Sequence, residues 1–97
     1  MSKMTGARFL AETVHGYGIT HVFFMPYIAP RSLMEMEKLG IKRIQTHGEK
    51  AAAYMADAYA RVTRRPSLCM AQSVGALNLA AGLQDAYLAC APVVALT

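Results

Sequence analysis

Four short apolar runs alternate with amphipathic stretches along this chain, and no Asn-Gly or Asp-Gly hairpin turn joins any two of them. Antiparallel strands can be linked by two residues, whereas parallel strands need a crossover of a dozen or more. The pattern therefore predicts an α/β fold, a parallel sheet with helices on both faces and right-handed crossovers. The predicted strands cover residues 20–25, 41–45, 66–72 and 92–97. The first is almost continuously apolar, as in a strand buried on both faces. The second alternates and should be less buried.

The stretches between them read as helices. Thr5 can cap a helix whose Phe9, Leu10, Thr13 and Val14 share one face, with Gly16 and Gly18 ending it. Pro30 suits the start of a short helix over 31–38. An alanine-rich helix opens at Glu49 and ends near Thr63. Ser73-Val74-Gly75 reads as a turn before a helix over 76–89, with Leu79, Leu83, Ala86 and Tyr87 on one face. Met25, Met34, Met36, Met55 and Met70 follow core spacing, and Tyr54, Tyr59 and Tyr87 read as core-edge residues. The chain has 97 residues, 55% of them hydrophobic and 16% charged. That is apolar for a small domain, so part of the surface should meet a partner or more of the same protein. The last strand, with no helix after it, reads as a truncation that leaves an open edge.

The charge of +4 is scattered. Its one cluster, Arg61, Arg64 and Arg65, suits a helix C-terminus and has no interleaved aromatics, which argues against a nucleic-acid interface. Cys69 and Cys90 belong to no Cys-x-x-Cys pair and read as buried free thiols of a reducing compartment. The start, Met1-Ser2-Lys3-Met4, is not an apolar signal core, and no run approaches the ~20 residues of a membrane span. The chain reads as cytoplasmic.

In such a sheet the loops after the strands gather at one edge, where α/β proteins bind ligands. Those loops carry Pro26, His47, Glu49, Val74 and Gly75, with Asn78 just beyond. A carboxyl there can share a proton with a bound heterocycle. The competing reading is a capping box, Thr46-x-x-Glu49, in which the glutamate only closes a helix end. Gly75 before a helix could let a ligand approach the backbone or could simply make a tight turn. His47 could be an acid–base group or a surface residue.

Glu49-Lys50-Ala51-Ala52-Ala53 followed by Met55-Ala56-Asp57-Ala58-Tyr59-Ala60-Arg61 resembles the glutamate helix of thiamine diphosphate enzymes of the acetolactate synthase and pyruvate oxidase type. Gly75-Ala76-Leu77-Asn78-Leu79 is similar to that family's Gly-Ala-Thr-Asn-Leu. Asp85-Ala86, the segment Pro92-Val93-Val94-Ala95-Leu96-Thr97, and Thr20-His21-Val22-Phe23 with Pro26 fit its flanking parts. The resemblance implies that residues 1–97 form part of an N-terminal pyrimidine-binding domain. Glu49 would be catalytic, hydrogen-bonding N1′ of the aminopyrimidine so that the cofactor's C2 carbon can attack a 2-oxo acid. Pro26, Val74, Gly75 and Asn78 would line the cofactor site. Mg²⁺ and the diphosphate would be held by a domain absent from this chain, contributed across a homodimer or larger assembly by a second subunit.

The chain departs from the pattern at Gly48, where a histidine is common, and at Ser73-Val74 in the Gly-Pro-Gly turn. It also departs at Leu77, at Ala58, and at Tyr27, which stands where the family has glycine. Two other readings compete with the resemblance. One is a non-catalytic assembly module with Glu49 as a cap; the other is a generic nucleotide-binding domain using the helix start at Gly75.

Overall fold

The computed structural model describes residues 3–97; the reading of Met1 and Ser2 lies outside them. Four helices and four strands alternate: α1 (Gly6–Gly16), β1 (His21–Phe24), α2 (Pro30–Lys38), β2 (Lys42–Gln45), α3 (Glu49–Thr63), β3 (Ser67–Met70), α4 (Ser73–Leu88) and β4 (Val93–Leu96). The sheet is wholly parallel, in the order β2-β1-β3-β4. His21 pairs with Lys42, Val22 with Leu68, and Ser67 with Val93.

The expected architecture is present, with helices on both faces. One apolar cluster joins Ala11 and Val14 of α1 and Leu33 and Met36 of α2 to Val22, Leu68 and Met70. The other joins Ala52, Ala53 and Ala56 of α3 and Leu79 of α4 to Phe23 and Cys69. All four residues of β3 are buried, because β3 lies inside the sheet beneath both layers. Ser67 tolerates that position by donating its hydroxyl to the carbonyl of Ala56 at 2.7 Å. Burial pushes the Cys69 thiol up to about 12. β2 is an edge strand and mostly exposed, as its alternation predicts. β4 forms the other edge.

Local chemistry accounts for the element ends. Thr5 caps α1, its hydroxyl accepting from the backbone of Arg8 at 3.2 Å. Pro30 occupies the first turn of α2, where its missing N–H costs nothing. Gly18 and Gly40, both at φ 78, turn the chain from helix back into strand. On α3, Asp57 is buried and accepts from Arg61 at 2.8 and 2.9 Å. Arg61 also donates to the Asp85 carbonyl at 3.0 Å. This arginine therefore ties α3 to the end of α4 and is more than a solvated terminus.

Several expectations about faces are corrected. In α1 the buried positions are Ala11 and Val14, and Phe9 points outward. In α2 the buried stripe is Ser32, Leu33 and Met36, which leaves Met34 outside. Met55 and Tyr87 are likewise exposed. Each lies off the centre of its helix's buried stripe by about 100° or more, at 100° between successive helical residues. Cys90 is a free thiol as expected, but it is exposed, whereas Cys69 is buried.

Candidate functional site

The strand order places β1 between β2 and β3. The chain leaves β1 toward β2 through α2 on one face and returns to β3 through α3 on the other. The ends of β1 and β3 are therefore a topological switch point, where the departing loops diverge and leave a crevice. The Met25 N–H donates to the Met70 carbonyl at 3.2 Å, which holds the two strand ends together to the last residue.

Glu49 is brought there by a three-residue turn. Thr46 is buried, and its N–H donates to the Phe24 carbonyl at 2.9 Å. Its hydroxyl donates to the Gly48 carbonyl, also at 2.9 Å. Gly48 is the N-cap of α3 in extended conformation, and no side chain caps the helix. Glu49 is thus the first helical residue. The capping-box reading is overturned, because that motif needs the glutamate two residues further along and the Thr46 hydroxyl is already committed within the turn.

The second correction concerns α4. Ser73, Val74 and Gly75 are its first turn, not a turn before it. Gln72 is the N-cap, and the Ala76 N–H reaches its carbonyl at 3.2 Å. Gly75 has no positive φ, so its backbone does not require glycine. Its neighbour does. A Cβ built on Gly75 would fall 2.7 Å from Glu49 Oε1, 2.9 Å from Cγ and 3.1 Å from Cδ. Seven residues on, a Cβ on Gly82 would lie 2.6 Å from the Cβ of Ala53 and 2.8 Å from the Lys50 carbonyl oxygen. The two glycines let α4 settle directly on α3, and the Glu49 side chain lies across the first turn of α4. Free N–H groups at a helix start favour an anion there by ~0.3–1 kcal/mol.

These parts enclose a cavity of about 290 Å³ lined by Met25, Pro26, Tyr27, Glu49, Gln72, Ser73, Val74 and Gly75. Its size, at the lower end for small-molecule sites, suits one ring rather than a whole extended cofactor. Of the sequence-predicted residues it gathers Pro26, Glu49, Val74 and Gly75. Asn78 is exposed on the next turn of α4 and His47 is exposed within the turn before α3, and neither lines the cavity. Around the rim, Tyr27, Val74 and Leu77 are 85%, 81% and 79% exposed. A larger cavity of about 440 Å³ lies between α4 and β4, but Leu83, Ala86, Val93 and Ala95 line it together with Tyr87, Cys90 and Ala91. It holds no carboxylate, amide or imidazole, whereas the smaller one holds Glu49 and Gln72.

Sequence reasoning passed over two features. Gly82 carries no sequence signal until its partner helix is known. Thr20, His21 and Tyr59 form a polar group at the opposite end of β1. The Thr20 hydroxyl lies 2.8 Å from His21 Nδ1 and 2.7 Å from the Tyr59 hydroxyl. Burial, and then Lys42, lower the His21 pKa. That group is structural and remote from Glu49. No helix among the described residues is long and apolar enough to cross a membrane.

The family model described as thiamine pyrophosphate enzyme, N-terminal TPP binding domain, matches residues 4–97. An acetolactate synthase from Arthrospira platensis is 36% identical over 103 residues, covering 100% of this chain and 18% of that protein. The large subunit of acetolactate synthase isozyme 2 from Escherichia coli K12 is 35% identical over 96 residues, covering 97% and 18%. The X-ray structure of a provisionally assigned thiamin diphosphate-dependent enzyme from Mycobacterium smegmatis superposes with a TM-score of 0.79. It covers 96% of this chain and 18% of that one at 23% identity, which speaks to the fold alone. The chain thus spans 18% of the length of these relatives.

Proposed function

The chain belongs to the family of N-terminal TPP binding domains of thiamine pyrophosphate enzymes, and from that premise we propose that it is the pyrimidine-binding part of an acetolactate synthase-like enzyme. In this reading Glu49 polarises the cofactor's aminopyrimidine. The observation that carries the proposal is the position of Glu49. Its carboxylate stands at the switch-point crevice, half-buried, without a capping duty and in no ion pair of the described residues. It is seated in space that only a glycine at position 75 leaves open.

The residues present fit the ring of the cofactor. A ring-sized cavity with a single carboxylate suits a flat nitrogen base that can share a proton with it. Met25, Pro26 and Val74 supply apolar walls that limit water, and Gly75 allows the carboxyl to lie flat against α4. Glu49 would hold the proton on the ring nitrogen, and Pro26, Val74 and Gly75 would orient the ring. Bound thiamine diphosphate would supply the acidic carbon that adds to the carbonyl of a 2-oxo acid.

Nothing in the cavity suits a diphosphate–Mg²⁺ pair, since its one charged group is an anion. A diphosphate-binding domain from a second subunit would supply that part, and the exposed rim of Tyr27, Val74 and Leu77 is the surface it would cover. The experiment is Glu49→Gln in the full-length protein, assayed for 2-oxo acid turnover. Turnover should fall by about 10²-fold or more, with circular dichroism unchanged. Undiminished turnover would remove the proposal.

A further inference from the structure

Tyr27 departs from two local preferences at once. Its backbone lies in the left-handed region at φ 74, where a bulky side chain is a genuine outlier, and its residue surface is 85% exposed. At the opposite edge of the sheet the chain meets the same backbone demand with Gly18 and Gly40. Ala29, Arg64 and Cys90 are also left-handed; Arg64 and Cys90 follow helix ends, where one such residue is the ordinary terminator, and Ala29, the N-cap of α2, carries only a methyl group. Tyr27 ends no helix. Its orientation is set by the next residue: Ile28 is 7% exposed, packed into the cluster beneath α1 and α2. With Ile28 anchored inward, Tyr27 stands over the cavity that it lines with Glu49, Val74 and Gly75. It is the one aromatic residue in that lining. Strain kept in place by a packed neighbour, at the mouth of a ligand cavity, points to a task for the side chain.

We infer that Tyr27 is a binding residue whose ring forms the wall against which a flat heterocycle, hydrogen-bonded to Glu49, packs. The inference rests on the reading of Glu49 given above. It assigns the work to the ring face and not to the hydroxyl, so phenylalanine should serve equally well.

The test is calorimetric titration of the full-length protein with 4-amino-5-hydroxymethyl-2-methylpyrimidine, for wild type, Tyr27→Phe, Tyr27→Gly and Glu49→Gln, with thermal unfolding of each. Tyr27→Phe should bind within about twofold of wild type. Tyr27→Gly should bind about three- to tenfold more weakly, the value of one aromatic contact. It should also unfold at a higher temperature, because glycine accepts this backbone without strain. Unchanged affinity in Tyr27→Gly, with wild type binding and Glu49→Gln weakened, would overturn the role of Tyr27 and leave that of Glu49 standing. A lowered unfolding midpoint in Tyr27→Gly would also overturn it, because the strain premise would be wrong. Absence of aminopyrimidine binding by wild type would overturn both readings.

Discussion

Beneath α1 and α2 the sheet is covered by long aliphatic side chains, Leu33, Met36, Ile41, Leu68 and Met70 among them. Beneath α3 and α4 the cover is Ala52, Ala53, Ala56 and Ala71, with Phe23 and Leu79 filling the remainder. The first face gains its stability from the bulk of its side chains, which can repack around a change. The second brings backbones together, and backbones cannot swing aside. The Glu49 cavity lies on the second face, where small residues let α4 approach to within atomic contact of the glutamate. The difference has a direct consequence for Met36, which is fully buried on the bulky side. Met36→Ala should cost about 2–5 kcal/mol in urea unfolding, the largest effect expected here, whereas Met36→Leu should cost less than about 1.5 kcal/mol. Equal costs for the two would mean that this face is not held by side-chain volume.

Gly82 sharpens the comparison through a sign. In an exposed helix interior, Gly→Ala stabilises by up to about 1 kcal/mol. Here the added methyl would meet the Ala53 methyl and the Lys50 carbonyl oxygen at 2.6 and 2.8 Å. Overpacking of this kind costs about 1–3 kcal/mol. Gly82→Ala should therefore destabilise the protein by about 1 kcal/mol net, measured as a lowered denaturant midpoint at unchanged slope. A stabilised variant would show that α3 and α4 are not packed through this glycine.

The two faces were not equally legible in the sequence. Strand–helix alternation, the Thr5 cap, Pro30 at a helix start and the opening of α3 at Glu49 are local signals, and each appears where it was read. The parallel sheet follows from them. The misreadings arise where a residue's meaning depends on a partner far along the chain. Phe9, Met34 and Met55 are apolar at near-helical spacing, but which stripe turns inward is decided by the docking of α1 on α2 and of α3 on α4. Ser73 and Val74 looked like a turn because Gln72 offers no familiar cap and Gly75 looked like a breaker. In the fold, Gly75 is helical and is small because of Glu49, 26 residues earlier. Thr46 and Glu49 satisfy the spacing of a capping box, but the helix begins two residues too late for the box to close. Pro26, Glu49, Val74 and Gly75 were predicted together because loops after parallel strands share an edge. Asn78, which the resemblance adds to them, falls outside the group because α4 starts at Ser73 and carries position 78 onto its second turn.

Gly75→Ala should have the smallest effect on stability and a decisive one on the site. As at Gly82, the new methyl would come within 3 Å of α3, but the atoms it meets, Oε1 and Cγ, belong to the Glu49 side chain. That side chain can rotate away, so the steric cost is relieved and the helical gain of alanine over glycine is partly retained. The stability of Gly75→Ala should lie within about 1 kcal/mol of wild type. The carboxylate, however, can no longer rest across the first turn of α4, and the ring-sized cavity loses its one acidic group. Aminopyrimidine binding should then fall as far as it does in Glu49→Gln, in a protein that unfolds like the original. If Gly75→Ala retained full affinity, the carboxylate would act from another position, and the close approach of α3 and α4 would serve packing alone.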